Sequence, residues 1–200
     1  MNKMSKALIW FVISFIIFHV ILYVMWGEKQ VYWYLYTGIM LIAGISYVFY
    51  QRDIESKRLL TSLGIGILVG MVLILIQLIT SAMVADLKYS ELIKELTRTG
   101  VYFKWQMLVT LVFVIPCHEL YMRTVLQKEL LKLNIPGWIG VIISALCSAS
   151  LFFYLDKMWI VFFVFLVQIV LSISYLYTRR IATSVVAQIV AVVILLLFHA

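Results

Sequence analysis

Residues 59–84 read LLTSLGIGILVGMVLILIQLITSAMV, a continuous apolar run without a charged side chain. An α-helix rises 1.5 Å per residue, so about 20 apolar residues cross the roughly 30 Å hydrocarbon core of a bilayer. The run does not alternate in the blocks of about ten residues that are typical of a transmembrane β-barrel. The segment therefore predicts a membrane-spanning helix.

The rest of the chain is also strongly apolar. Of its 200 residues, 65% are hydrophobic and 12% are charged, with a mean hydropathy of +1.09. Soluble domains are about half apolar and about a quarter charged. The sequence thus predicts an all-α, polytopic integral membrane bundle of about seven spans, at residues 7–26, 31–50, 59–84, 102–127, 138–155, 158–177 and 181–199.

Basic residues in the loops predict the orientation. One side of the membrane would hold nine: Lys3, Lys6, Arg52, Lys57, Arg58, Lys128, Lys132, Arg179 and Arg180. The other would hold six: Lys29, Lys88, Lys94, Arg98, Lys104 and Lys157. By the positive-inside rule, the N-terminus is predicted to be cytoplasmic and, with seven spans, the C-terminus to lie on the outer side of the cell membrane. Loop topology and attraction to anionic lipid account for the net charge of +7, so no nucleic-acid partner is expected.

One connection between spans is amphipathic. In residues 86–100, Tyr89, Leu92, Ile93 and Leu96 recur at helical spacing among charged residues, which indicates a helix on the membrane surface. Such a helix is either a plain interfacial connector or a lid over a substrate entrance. It completes a predicted N-terminal unit, residues 1–101, and the core helices would occupy residues 102–200.

Residues 116–123, PCHELYMR, place three ionisable groups inside a predicted span. If the helix enters the cytoplasm near Lys128, Glu119 lies about 13 Å inside that boundary. An ionised carboxylate is costly there unless it is paired, and Arg123 at i+4 is on the same helix face. His118 points about 100° away and needs another neighbour. The cluster is either a packed ion pair with a hydrogen-bonded histidine or a functional site.

Two familiar arrangements are excluded by the spacing. A thermolysin-type zinc motif needs a second histidine where this chain has Met122. Cys117 and His118 are adjacent on a helix and diverge, which disfavours a nucleophile-base pair. Cys117 and Cys147 both lie in predicted spans and are expected to be buried thiols. The aromatic residues near span ends are expected to be interfacial anchors: Trp26, Tyr32, Trp33, Trp138 and Trp159.

The first motif resembles that of the CPBP membrane proteins, which include CAAX prenyl endopeptidases and bacteriocin-processing or immunity proteins. The family's E-E-x-x-x-R becomes HELYMR here, with Glu119 and Arg123 retained and His118 in place of the first glutamate. The resemblance covers about residues 105–195 and implies a CPBP-like core. It also implies that His118, Glu119 and Arg123 are the main site residues.

Two further motifs align in the same order. The family's F-x-x-x-H matches SASLFFYLD, which retains Phe152 and has Asp156 in place of histidine. Its H-x-x-x-N or similar pair matches ATSVVAQIVAV, which gives Gln188 and Val192. The resemblance therefore adds Phe152, Asp156 and Gln188 as secondary site residues. As alternatives, Asp156 is an ordinary loop charge and Gln188 bonds across helices, as Gln168 would.

In the family, glutamates and histidines are thought to activate a water for peptide hydrolysis, with or without a metal. This chain lacks one glutamate and both histidines, so His118, Glu119 and Asp156 would have to bind a metal or relay a proton, and the ligand set is incomplete. Asp156 would also lie about 27 Å along its span from the cytoplasmic side, so convergence with Glu119 requires a tilted or broken helix.

Three functions are compatible with these residues. In the first, Glu119 is a general base and His118 an acid-base or oxyanion partner, while Arg123 orients Glu119 or holds an anionic group. This site would act on a substrate already in the bilayer, such as a lipid-anchored peptide or the acyl chain of a phospholipid. In size and altered first motif the chain is similar to a non-peptidase CPBP protein, the membrane subunit of the staphylococcal lipoprotein N-acylation system. That resemblance implies acyl transfer from a phospholipid to the N-terminal amino group of a lipoprotein, with a second protein subunit. The second function is an endopeptidase with substituted ligands, and the third is a non-catalytic scaffold or immunity protein.

Overall fold

The structure, a computed structural model, describes residues 5–50, 59–133 and 135–198, without the side chains of residues 46–50 and 198. The described residues form helices and contain no strand. The helices are α1 (Lys6–Val24), α2 (Tyr32–Tyr50), α3 (Leu59–Met83), α4 (Tyr89–Arg98), α5 (Lys104–Lys132), α6 (Gly137–Ser150), α7 (Met158–Thr178) and α8 (Ile181–Phe198). Single 3₁₀ turns lie at Lys29–Val31, Ala85–Leu87 and Phe153–Leu155.

The predicted all-α polytopic bundle is confirmed, since each predicted span coincides with a helix. Within the described residues, five segments are long and apolar enough to cross a membrane: α1, α3, α5, α7 and Gly137–Leu155. Residues Ile181–Leu197 of α8 form a shorter apolar helix. Many large apolar side chains on these helices are exposed, as lipid-facing surfaces require. The chain is a multi-pass membrane protein.

Two apolar clusters hold the bundle together. The larger one joins α1, α2, α5 and the connection after α6 through buried side chains that include Phe11, Met40, Tyr121, Val125 and Leu151. The smaller one joins α3, α7 and α8 through side chains that include Leu73, Leu171 and Ala187. Helix α5 contacts both halves of the molecule, so residues on it face the centre of the bundle.

Small residues allow α3 and α8 to pack closely. A Cβ atom added at Gly66 would lie 2.9 Å from Val186 Cβ, and one added at Gly70 would lie 2.9 Å from the Ala187 carbonyl oxygen. In lipid, helix association depends on such close van der Waals contact rather than on the hydrophobic effect. The two glycines therefore set the separation of α3 and α8.

The connections 25–31, 84–103 and 151–157 are tied together at one end of the bundle. Lys29 Nζ lies 2.6 Å from Asp156 Oδ2, and Trp26 Nε1 donates to Asp156 Oδ1 at 2.9 Å. Arg98, at the end of α4, donates to the Leu155 carbonyl oxygen at 2.6 Å. Gly100 follows with φ +102°, and a Cβ there would lie 2.2 Å from the Gln30 carbonyl oxygen, so only glycine fits. Helix α4 is thus docked on the bundle.

The expectation that the terminal aromatic residues are interfacial anchors is wrong for two of them. Tyr32 and Trp33 are buried, at 9% and 8% exposure. Their polar atoms bond inside the bundle, where Tyr32 donates to the Leu151 carbonyl oxygen and Trp33 to Thr110 Oγ1. The position of these residues near a span end did not reveal that α5 and the 151–157 connection bond to this part of α2.

Candidate functional site

The backbone of α5 is irregular around the charged motif. Two π-helical segments, Thr110–Val114 and Leu120–Gln127, flank the short α-helical segment Ile115–Glu119. Pro116 lies within that segment and has no backbone N–H to donate, which disturbs the regular ladder of a helix. Single π turns inside α-helices occur frequently at functional sites. His118 and Glu119 therefore lie between the two irregular segments of the span.

The predicted ion pair between Glu119 and Arg123 is confirmed. Both side chains have 0% exposure, and Arg123 Nε donates to Glu119 Oε2 at 2.9 Å. Either charge alone would be costly at this depth, because no water is available to solvate it. The pair makes an ionised carboxylate tolerable inside the bundle.

Arg123 is also held by uncharged side chains from three helices. Its Nη1 donates to Ser172 Oγ at 2.5 Å, to Ser144 Oγ at 2.8 Å and to Gln127 Oε1 at 3.4 Å. Its Nη2 donates to Gln168 Oε1. A guanidinium with five protein acceptors and no exposed surface is engaged by the bundle itself. Its geometry suits orientation of Glu119 better than contact with an anionic ligand.

His118 connects Glu119 to a neighbouring helix. Its Nε2 lies 2.7 Å from Ser148 Oγ on α6, the different neighbour that helical geometry required. Its Nδ1 lies 3.4 Å from Glu119 Oε1, and that oxygen makes no hydrogen bond to any described residue. The three side chains therefore form a chain of contacts in the order Ser148, His118, Glu119.

A cavity of about 410 Å³ reaches His118 from the docked side of α4. Three of the motif positions lie in its wall together with His118, namely Phe152, Gln188 and Val192. The wall is almost entirely apolar. The cavity thus brings together positions from α5, the 151–157 connection and α8 that are far apart in the sequence.

The amphipathic helix α4 forms part of the same cavity. Its apolar residues Tyr89, Leu92, Ile93 and Leu96 line the wall, as does Thr99 just beyond its end. Its opposite side carries exposed ion pairs, including Lys94 with Glu91 at 2.6 Å. This arrangement favours a lid over a plain connector, because the apolar face of α4 covers the cavity rather than only lipid.

Asp156 lies apart from the other candidate residues. It is exposed and paired with Lys29, and it does not line the cavity. The Lys29 ammonium donates to it, which lowers the pKa of Asp156 below 3.8. The pair is therefore present at neutral pH and is lost only as the pH falls through that lowered pKa.

The charged residues do not fit a metal site. The described residues contain no group of three or more His, Cys, Asp or Glu side chains that could hold a metal ion. His118 and Glu119 are adjacent, but the third ligand that the sequence suggested, Asp156, is engaged with Lys29 at the surface. Cys117 and Cys147 are free thiols, as expected, but they are half-buried rather than buried, and they add no ligand to such a group.

Sequence reasoning missed four residues that shape the site. Ser148 contacts His118, Ser144 and Ser172 bind Arg123, and Tyr36 lines the cavity beside His118. The serines lie in apolar runs and match none of the motifs considered in the sequence. The available signal was that SALCSAS, residues 144–150, concentrates hydroxyl groups in a predicted span.

Comparison with known proteins identifies one matching family. Residues 100–194 match the model of the family described as type II CAAX prenyl endopeptidase Rce1-like. No curated protein and no solved structure matches the chain. The matched range runs from just before α5 into α8, so it contains the motif residues, whereas the part of the cavity wall that α2, α3 and α4 contribute lies outside it.

Proposed function

The chain is a divergent member of the CPBP family of membrane proteins, and on this premise we propose that it is an intramembrane acyl-transfer enzyme. It would move an acyl chain from a membrane phospholipid to the amino group of a lipid-linked peptide, as in the N-terminal modification of bacterial lipoproteins. The family match by itself supports only an intramembrane, protease-like protein.

The observation that carries the proposal is the apolar cavity that reaches His118. A bound peptide brings an N–H and a C=O group at every residue, and each needs a partner inside a membrane. The cavity wall offers few such partners, whereas an acyl chain needs none. Its volume of about 410 Å³ lies within the range of roughly 300–1,000 Å³ that small-molecule sites occupy. An acyl chain is therefore the better occupant.

Each charged residue then has a role that its contacts support. His118 lies in the cavity wall and is the acid-base group nearest to a bound ester. Glu119 lies behind it, keeps the imidazole oriented and balances positive charge that develops on the ring. Arg123 holds Glu119 in place. Glu119, which the sequence suggested as the general base, thus acts through His118.

The positions of the loops support an acceptor outside the cytoplasm. Helix α4 covers the cavity at the end of the bundle that holds Lys29 and Asp156. By the positive-inside rule, this end faces away from the cytoplasm. The lipid-modified N-terminus of an exported lipoprotein lies at that face. A second, surface-attached subunit that delivers the peptide would also bind there.

Mass spectrometry of lipoprotein N-terminal peptides tests the proposal. In cells that lack their own copy of the gene, the unaltered chain should restore an N-acylated peptide, whose mass exceeds that of the unmodified peptide by one acyl group. We expect His118→Ala and Glu119→Gln to lower its amount by at least about 100-fold relative to the amount of each variant protein in the membrane. Unchanged peptides in all strains would contradict acyl transfer and favour a non-catalytic scaffold.

The second candidate is an intramembrane endopeptidase, which the matching family favours. It predicts a shortened peptide instead of an acylated one. If Asp156 were a ligand or acid-base group in such a site, Asp156→Asn would remove activity, by about 100-fold or more. Because Asp156 pairs with Lys29 outside the cavity, we expect Asp156→Asn to leave product within about twofold of the unaltered chain. This variant is also the control for the other two substitutions.

A further inference from the structure

Ser148 uses its hydroxyl group differently from several other serines and threonines in these helices. Ser150, Ser174 and Thr178 donate to a carbonyl oxygen three or four residues earlier in their own helix. That local bond is the usual way to satisfy a hydroxyl group inside a helix. Ser148 is 0% exposed, and its hydroxyl instead contacts His118 Nε2 at 2.7 Å.

The surroundings of His118 favour one direction for this contact. Nδ1 faces Glu119 Oε1, and an ionised carboxylate only accepts hydrogen bonds, so the neutral tautomer that suits this neighbour has its ring proton on Nδ1. Nε2 is then the acceptor, and Ser148 is the donor. Both ring nitrogens face protein groups. The nearest proton that His118 can remove is therefore that of the Ser148 hydroxyl.

Glu119 can support such a proton transfer. Arg123 binds only its Oε2, and its Oε1 has no hydrogen-bond partner among the described residues. Oε1 lies 3.4 Å from His118 Nδ1, a contact that would shorten when the imidazole becomes positively charged. Catalytic hydrogen bonds are often long before substrate binds.

We propose that Ser148 is the catalytic nucleophile of this site, activated by His118 and by Glu119 through His118. A nucleophile within hydrogen-bond reach of a base, which a third group orients, is the arrangement that activates serine in unrelated enzymes. The proposal rests on the acyl-transfer function proposed above. Ser148 lies behind His118 and one helical turn before Phe152, and it does not itself line the cavity. The cavity wall at His118 and Phe152 must therefore open when an acyl carbonyl enters.

The reaction has two steps, acylation of Ser148 and transfer of the acyl group to the amine. Ser148 Oγ attacks the carbonyl carbon of a phospholipid ester, and His118 Nε2 takes the hydroxyl proton. The ester C–O bond breaks, His118 returns the proton to the departing glycerol oxygen, and the acyl group remains on Ser148 as an ester. The amino group of the lipid-linked peptide then attacks this ester and gives a proton to His118. An amide forms, and the proton returns to Ser148 Oγ.

The experiment uses membranes that contain the full chain and phospholipid with alkyne-bearing acyl chains. The covalent adduct on the chain and the N-acylated lipopeptide are measured separately. The variants are Ser148→Ala, Ser148→Cys and His118→Ala, with Ser150→Ala as the matched control on the same helix. A fluorophosphonate probe, which reacts with activated serines, reports on Ser148 without any acyl acceptor. Accumulation and thermal unfolding in detergent check that each variant folds.

We expect an acyl adduct on Ser148 that resists neutral hydroxylamine. Ser148→Cys should carry a thioester that neutral hydroxylamine cleaves, a signature that a purely structural serine would not give. Ser148→Ala and His118→Ala should lose the adduct and at least about 100-fold of product formation, while Ser150→Ala keeps both.

The two readouts separate the two proposals. Product formation by Ser148→Ala at the unaltered rate would overturn the nucleophile and leave acyl transfer intact. Adduct or probe on Ser148 without any N-acylated product would overturn acyl transfer to an amine and retain the nucleophile. The nucleophile assignment would also be overturned by a combination of two results. Folded Ser148→Cys would form product without any acyl adduct, and the probe would not label the unaltered chain.

Discussion

Arg123 joins the polar groups of three helices at the centre of an apolar bundle. Its guanidinium binds Glu119 and Gln127 on α5, Ser144 on α6, and Gln168 and Ser172 on α7. Such a network stabilises only when it is complete, because an unpaired member inside a membrane costs more than an apolar replacement. The residue that fixes the site is therefore also a structural centre.

Removal of this guanidinium should leave the carboxylate of Glu119 buried without its partner. We expect Arg123→Met to lower the free energy of unfolding by about 3–5 kcal/mol, the usual cost of breaking a buried ion pair from one side. The measurement is unfolding of the purified protein in detergent. The double variant Glu119→Gln/Arg123→Met should recover part of the loss, because no isolated charge remains. A change below about 0.5 kcal/mol for Arg123→Met would contradict this account.

Sequence revealed those site residues whose charge or spacing is unusual for a membrane span. Glu119 and Arg123 stand one helical turn apart in an apolar segment, so their pairing followed from helix geometry. Ser148 carries no such mark, because a serine in a span often bonds only to its own helix. Its contact with His118 depends on how α5 and α6 pack, and a single sequence does not encode that in any local pattern.

At the scale of elements, the spans were predictable and their irregularities were not. Continuous apolar length predicted the number and bounds of the helices to within a few residues, apart from the C-terminal ends of α5 and α6, which each differ by five residues. A proline inside a span disturbs the helix around it, but Pro116 does not by itself indicate the two π-helical segments of α5. The amphipathic period located α4, whereas its docking over the cavity depends on distant partners such as Leu155 and Gln30.

The close contact between α3 and α8 can be tested with two neighbouring glycines. A Cβ at Gly66 would meet Val186 Cβ at 2.9 Å and the Thr183 carbonyl oxygen at 3.0 Å, while one at Gly64 would meet nothing within 4 Å. We expect Gly66→Val to lower the free energy of unfolding by about 1–3 kcal/mol through overpacking. Gly64→Val is the matched control and should change it much less. Equal effects of the two substitutions would indicate that helix propensity, rather than the α3–α8 contact, is responsible.

At the scale of the whole molecule, the predicted N-terminal unit, residues 1–101, and the predicted core, residues 102–200, pack against each other. Helices α1 and α2 of the N-terminal half pack against α5, and α3 packs against α8. The cavity wall includes Tyr36 and Gln77 from residues 1–101 as well as the motif residues of the C-terminal half. The division at residue 101 stays a prediction, while the cavity wall contains residues from both sides of it.

The orientation of the bundle decides which substrates can reach the cavity. Loop charges predict that α4 and the Lys29–Asp156 pair face outside and that Arg179, between α7 and α8, faces the cytoplasm. Labelling of single cysteines with a membrane-impermeant maleimide tests this in intact cells. Lys94 is 72% exposed and Arg179 is also exposed, so Lys94→Cys and Arg179→Cys report on the two faces. Cys117→Ala and Cys147→Ala remove the native thiols from the background.

We expect Lys94→Cys to be labelled in intact cells and Arg179→Cys only after permeabilisation. This pattern would place the lid and cavity entrance on the side where exported lipoproteins display their N-termini. The reverse pattern would place the entrance in the cytoplasm. An acyl transfer to exported lipoproteins would then be untenable, because the acceptor amine would lie across the membrane from α4. That result would favour a cytoplasmic peptide substrate and therefore the endopeptidase hypothesis.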